Sequence, residues 1–279
     1  MTAPPTWSGA APRLVATDLD GTLLHDDLRV SRRTRAALDA TREAGIEVVP
    51  VTARQPLGLA PIAAEAGFTG WALCANGALG IHLTSGEVLF EAHLEVEVQR
   101  AVAEALRREL PDLVFASVRQ RGEVFVAEPG YAALATFSDH KRDPMTMGAH
   151  PLEDVLAQPS LKLVARHPEL GRDGVMRVIA RLGLDGFEAT HSGAPFVELL
   201  PRGVSKAWGL SRLCEHLDLD PGEVLAFGDA PNDAEMLAWA GRGVAMANAS
   251  AESRAAADEV TGTNQEDGVA AVLEQLLGQ

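Results

Sequence analysis

Apolar positions along the chain switch between two rhythms. Residues 13–18, 46–52 and 71–75 are short β-rich runs, with a helix candidate between the first two. One helix is expected from Ser31, as its N-cap, to a stop at Gly45. Pro50 marks the second run as irregular or close to an edge, because proline has no N–H for a ladder. Strand–helix–strand alternation of this kind predicts parallel strands with helical crossovers.

From residue 81 the rhythm changes. Two β-rich runs, 81–84 and 87–90, flank Ser85-Gly86 and read as a hairpin. A helix over 94–110 follows, with Val98, Val102, Ala105 and Leu106 on one stripe. Then strands are expected at 112–118, 123–127, 161–166, 187–190 and 196–200, with only a helix near 173–182 among them. The α/β alternation resumes with a helix over 205–217, a strand at 224–227, a helix over 231–240 with Pro231 in its first turn, a strand at 243–246 and a helix over 267–277. The pattern predicts an α/β fold: a doubly wound parallel sheet formed by 13–82 and 192–279, interrupted by an inserted α+β module over 83–191. Residues 1–12 read as a loose tail.

Composition narrows the partners. A formal charge of −15 and a pI near 4.9 repel phosphate backbones and anionic lipid, so neither nucleic acid nor a membrane surface is an expected partner. No apolar run reaches the roughly 18 residues of a spanning helix. Residues 1–12 lack Lys, Arg and an apolar centre, which does not read as a secretory leader. Cys74 and Cys214 lie far apart in apolar segments and read as reduced core residues, in keeping with a cytoplasmic protein.

The chemistry collects where β-rich runs end. The first ends Asp18-Leu19-Asp20-Gly21-Thr22; residues two apart on a strand share a face, so two carboxylates leave it together. The second ends Thr52-Ala53-Arg54, and a later one Gly228-Asp229-Ala230-Pro231-Asn232-Asp233. Lys206 opens a helix, where the dipole disfavours a cation, and such local conflicts mark functional positions. Parallel strands align their C-terminal ends on one edge, where open α/β sheets bind ligands. Asp18, Asp20, Thr52 and Asp229 would then share a site suited to a hard cation such as Mg2+ together with a phosphate.

These residues resemble the haloacid dehalogenase (HAD) superfamily, and within it the Cof-type (type IIB) phosphatases. Asp18–Thr22 matches its DxDGT motif, Thr52 its Ser/Thr motif with Arg54 in the Cof-type arginine position, Lys206 its lysine motif, and Gly228–Asp233 its acidic motif. Asn76-Gly77-Ala78 resembles the run that precedes the Cof-type cap. Ala53 and Ala230 depart from the Gly and Ser common at those places. The resemblance implies a Rossmann-like core with a cap, and a phosphatase acting on a small phosphorylated metabolite, such as a sugar phosphate or a phosphorylated cofactor precursor, through an aspartyl-phosphate. It implies Asp18 as nucleophile and Asp20 as general acid and base. Asp18, the carbonyl of Asp20 and Asp229 would hold Mg2+. Thr52, Arg54, Lys206 and Asn232 would bind substrate, with Asp233 beside Lys206.

Within the cap, His140, Lys141, Arg142, Met145, Met147, His191 and Glu198 are candidate substrate contacts. A phosphomutase or phosphotransferase on the same core, or a non-catalytic phosphate-binding relative, are the alternatives. The expected assembly is a monomer or a small homo-oligomer.

Overall fold

The structure, a computed structural model, describes residues 11–278. All of the expected tail except Ala11 and Pro12 lies outside the described residues. In chain order the strands are β1 (Leu14–Thr17), β2 (Glu47–Pro50), β3 (Trp71–Cys74), β4 (Leu79–His82) and β5 (Val88–Glu91). A second set follows: β6 (Val114–Arg119), β7 (Val124–Ala127), β8 (Lys162–Arg166), β9 (Phe187–Thr190) and β10 (Val197–Pro201). The chain ends with β11 (Val224–Gly228), β12 (Arg242–Ala245) and β13 (Glu259–Val260).

The core sheet is parallel, in the order β13-β12-β11-β1-β2. Every residue of β1 and β11 is buried, as expected for central strands covered on both faces. One group of helices packs Arg32–Glu43 against Gly268–Leu276; another joins Lys206–Leu217, Ala234–Trp239 and Ala251–Ala256. The first of these begins as the sequence predicts, with Ser31 Oγ accepting from the Thr34 N–H at 3.0 Å. Strands β3, β4 and β5 form an antiparallel sheet that continues the core through a parallel bridge between Val51 and Leu73. The second run is therefore not an edge at its C-terminal end. Val51 N–H donates to Thr17 O at 2.8 Å, so the alternating Pro50 nitrogen faces away from the β1 ladder and no bond is lost there.

The inserted cap is a five-stranded antiparallel sheet in the order β7-β6-β8-β10-β9. Its alternation has two destinations. Phe115, Leu163, Ala165, Val197 and Leu199 pack with Val102, Leu106, Val175 and Ile179 of the cap helices. Ala116, Val118 and Val164, on the other face, join the cluster that contains the core. The strand pairing moves both expected crossings. Strand β5 pairs with β4 beside the core, so the chain leaves for the cap after Glu91 rather than at 83. Strand β10 pairs with β8 and β9, so the return falls after Pro201 rather than at 192.

Cys74 and Cys214 are buried free thiols, pushed up by burial to about 12 and about 11. Among the described residues no helix is long and apolar enough to cross a membrane.

Candidate active site

Register brings the first three motifs to one edge. Thr17 lies level with Phe227 of β11 and with Pro50 of β2, so Asp18, Thr52 and Asp229 all stand just beyond the C-terminal ends of adjacent strands. The Asp18 N–H extends the ladder by donating to Phe227 O at 3.0 Å. The chain then turns sharply at Gly21, whose φ is +85° and whose missing Cβ leaves room for the Asp229 carboxylate. Thr22 Oγ1 donates to Asp229 Oδ1 at 2.7 Å, tying the first motif to the acidic one.

Lys206 arrives from the fourth motif at the start of helix Lys206–Leu217. Its ammonium is 1% exposed and donates to Asp18 Oδ1 and to Asp233 Oδ1, each at 2.5 Å. The other oxygen of Asp233 accepts the backbone N–H groups of Asp229 and Ala230, both at 2.9 Å. Both oxygens of Asp233 are thus engaged in orienting Lys206 and the Asp229 loop. Burial would lower Lys206, but Asp18 and Asp233 outweigh it and hold the ammonium above its ordinary value. Burial lifts the Asp18 carboxyl well above its usual range, reinforced by Asp233 and Asp229 and opposed by Lys206. Burial and Asp233 push Asp229 up to about 6.

One oxygen from each of Asp18, Asp229 and Asp233 lies within 4.8 Å of the others. Three carboxylates therefore face one cation, Lys206, and the cluster is short of positive charge. An all-oxygen donor set of this kind fits a hard divalent ion. Both oxygens of Asp233 are engaged, which leaves Asp18 and Asp229 as the acids that could hold it.

Asp20 sits apart from that cluster, in the grip of Arg54. The guanidinium donates to both carboxylate oxygens, through Nε at 2.6 Å and Nη2 at 2.5 Å, in the two-pronged geometry arginine favours. Arg54 also donates to Gly58 O at 3.0 Å, so it fixes a loop as well as an acid. Thr52 is buried, and its hydroxyl accepts the Arg54 N–H at 3.1 Å. Asn232 lies on the lysine side, where Nδ2 donates to Asn76 Oδ1 at 2.9 Å and Oδ1 has no protein partner. Asn76 holds a left-handed φ of +58° to make that contact.

A cavity of about 200 Å3 opens from Asp20 and Arg54 toward the cap. Of the cap candidates, His140, Lys141 and Glu198 line it. The rest are elsewhere: Arg142 is engaged with Gly122 O and Glu123 O, Met145 is 89% exposed, and Met147 is buried in the core cluster. His191 lies in a separate cleft with Asp229 and Asn248. His140 is buried against Phe125, Tyr131 and Phe196, and burial, aided by Lys162, lowers its pKa to about 3. Two contributors escaped the sequence reading: Asn248 Nδ2 donates to Gly21 O at 2.8 Å, and Gln55 lines the cavity, which Lys162 also reaches from β8. A lone polar residue in a loop or strand carries no spacing signal by which these could be found.

The family model for haloacid dehalogenase-like hydrolases matches residues 15–273. A protein from Klebsiella pneumoniae named HMP-PP phosphatase is 31% identical over 249 residues, covering 87% of each chain. Phosphatase YwpJ of Bacillus subtilis is 29% identical, over 95% of this chain and the whole of that protein, 100%. Among solved structures, a haloacid dehalogenase-like hydrolase from Bacteroides thetaiotaomicron superposes with a TM-score of 0.75 at 32% identity, covering 95% of this chain and 99% of its own.

Proposed function

We propose that this chain, which belongs to the haloacid dehalogenase-like hydrolases, is a Mg2+-dependent phosphatase that cleaves a small phosphorylated metabolite, a sugar phosphate or phosphorylated cofactor precursor, through an aspartyl-phosphate. The observation that carries this reading is the buried Lys206 ammonium shared by Asp18 and Asp233, with Asp229 in the same cluster and Asp20 two residues from Asp18. Relatives named as phosphatases support it.

In the first step an Asp18 oxygen attacks phosphorus in line while the ester oxygen leaves, taking a proton from Asp20. In the second, Asp20 accepts a proton from the water that attacks phosphorus and frees Asp18, with release of inorganic phosphate. Arg54 holds Asp20 where it can reach the leaving oxygen. Thr52, Asn232 and Lys206 donate to the phosphoryl oxygens. Asp18, the Asp20 carbonyl and Asp229 would hold Mg2+, which supplies positive charge where negative charge gathers. The need for it is large. Two unit charges about 4 Å apart interact by about 4 kcal/mol at an effective dielectric near 20, and a carboxylate approaching a phosphate dianion meets several such repulsions.

Phosphate release from a panel of phosphomonoesters tests the reading. Activity is expected with Mg2+, lost in EDTA and restored by added Mg2+. Asp18→Asn is expected to lower turnover on the order of 10^4-fold or more, as nucleophile removal does in other covalent hydrolases. Turnover in EDTA, or by Asp18→Asn, would refute the mechanism.

A further inference from the structure

Lys162 and Glu198 stand on the face of the cap sheet turned toward the core. Glu198 pairs with Val164, which puts it diagonal to Lys162 on the same face. Both are almost fully buried, at 2% and 1% exposed. The Lys162 ammonium donates to Glu198 Oε1 and, across the boundary between the two sheets, to Ala53 O at 2.9 Å. Glu198 Oε2 is equally buried and accepts from no protein group. Both residues line the same cavity as Asp20 and Arg54.

An acceptor buried without a donor costs free energy, and native structures nearly always supply one. Lys162 already balances the charge of Glu198, so a second cation has no electrostatic reason to enter. A neutral donor does. The cavity also argues against an aromatic ring. Its two ring side chains, His140 and Phe196, stack on each other with centroids 4.6 Å apart at 16°, and are only 7% and 3% exposed. Neither offers an open face. The remaining wall is mixed, with the polar side chains Gln55, Ser138, Lys141 and Ser192 beside Ala53, Ala194 and Pro195. A cavity of about 200 Å3 has room for a small leaving group.

We infer that Glu198 is a specificity-determining residue whose Oε2 accepts a hydrogen bond from a hydroxyl of the leaving group, and that the substrate is the phosphate monoester of a small aliphatic polyol or sugar. Lys162 is a positioning residue: it neutralises Glu198, fixes its rotamer and ties it to the loop between Thr52 and Arg54. This rests on the phosphatase reading above.

The test is a selectivity ratio, measured on the full chain with Mg2+. The kcat/KM values for glycerol 1-phosphate and glucose 6-phosphate are compared with those for propyl phosphate and phenyl phosphate, with an aminopyrimidine phosphate as a further arm. The wild type is expected to favour the hydroxylated substrates by about tenfold or more, the scale of a hydrogen bond to a charged group. Glu198→Gln replaces the free acceptor by an amide and is expected to reduce that ratio about tenfold. Lys162→Met with Glu198→Met removes the pair while leaving no buried charge, and is expected to abolish the preference even if Glu198→Gln fails to fold. A purely structural role would change stability without moving the ratio. A wild type indifferent to hydroxyls, one that prefers the aminopyrimidine ester, or a ratio unchanged in a folded variant would overturn the inference and leave the phosphatase reading standing. Phosphate release from none of the esters would bring down the phosphatase reading itself.

Discussion

Two buried lysines, one in the core and one in the cap, do opposite electrostatic work. Lys206 answers Asp18 and Asp233 with Asp229 close by, three acids to one base. Lys162 answers Glu198 alone and gives a remaining N–H to Ala53 O. The first cluster has surplus negative charge and invites a further cation. The second is balanced and has a spare acceptor, so it invites a neutral donor. Burial is the same in both; the ratio of acids to bases decides what each can bind.

Removing a charge from each side separates the two cases. Lys206→Met leaves Asp18 and Asp233 buried without their cation. It is expected to cost about 3–5 kcal/mol, a fall in Tm on the order of 10 °C in thermal unfolding, partly recovered by Mg2+. An unchanged Tm would show that the acids are not held as a charged cluster. On the cap side Lys162→Met alone is expected to cost a similar ~3–5 kcal/mol, whereas Lys162→Met combined with Glu198→Met is expected to stay within about 1 kcal/mol of wild type in urea unfolding. If the double variant were as damaged as the single one, the pair would not be the balanced unit described.

Acid provides the most gradual perturbation, at His140. Its folded pKa of about 3 lies below the 6.5 of the unfolded chain, so the unfolded state binds the extra proton between those values. The stability it contributes is complete above pH 6.5 and is lost as pH falls toward 3. The groups acting on it are Lys162, Arg142 and Arg166, which oppose its charge, and Asp139, which favours it. His140→Gln, which can still accept from the Tyr131 hydroxyl, is expected to remove a slope of about 1.4 kcal/mol per pH unit from the wild-type curve. Identical slopes below pH 6 would place the proton elsewhere.

Much of the site was legible because its signals are local. Asp18, Thr52 and Asp229 each follow a β-rich run, and parallel topology brings them to the same edge, whereas Asp20 lies past the end of the strand, apart from the other acids and bound by Arg54. What escaped depends on contacts between distant segments. The run 197–201 is apolar enough for either sheet, so only pairing could place it in the cap. Helix Pro56–Ala66 was not predicted; Pro56 occupies its first turn, where proline is tolerated, and Pro61 lies inside it. Glu198 is a candidate contact by position alone, but its pairing with Lys162 exists only once the second layer covers both. The grip of Arg54 on Asp20 depends on a side-chain reach that spacing does not record.

The chain re-enters the core directly from β10. Only residues 202–205 separate the end of that strand at Pro201 from Lys206. Glu198, proposed to meet the leaving group, and Lys206, the cation beside Asp18, are therefore eight positions apart on one continuous length of backbone. Two substitutions made on this one segment would therefore act on both layers at once, through a stretch of only four residues between strand and helix.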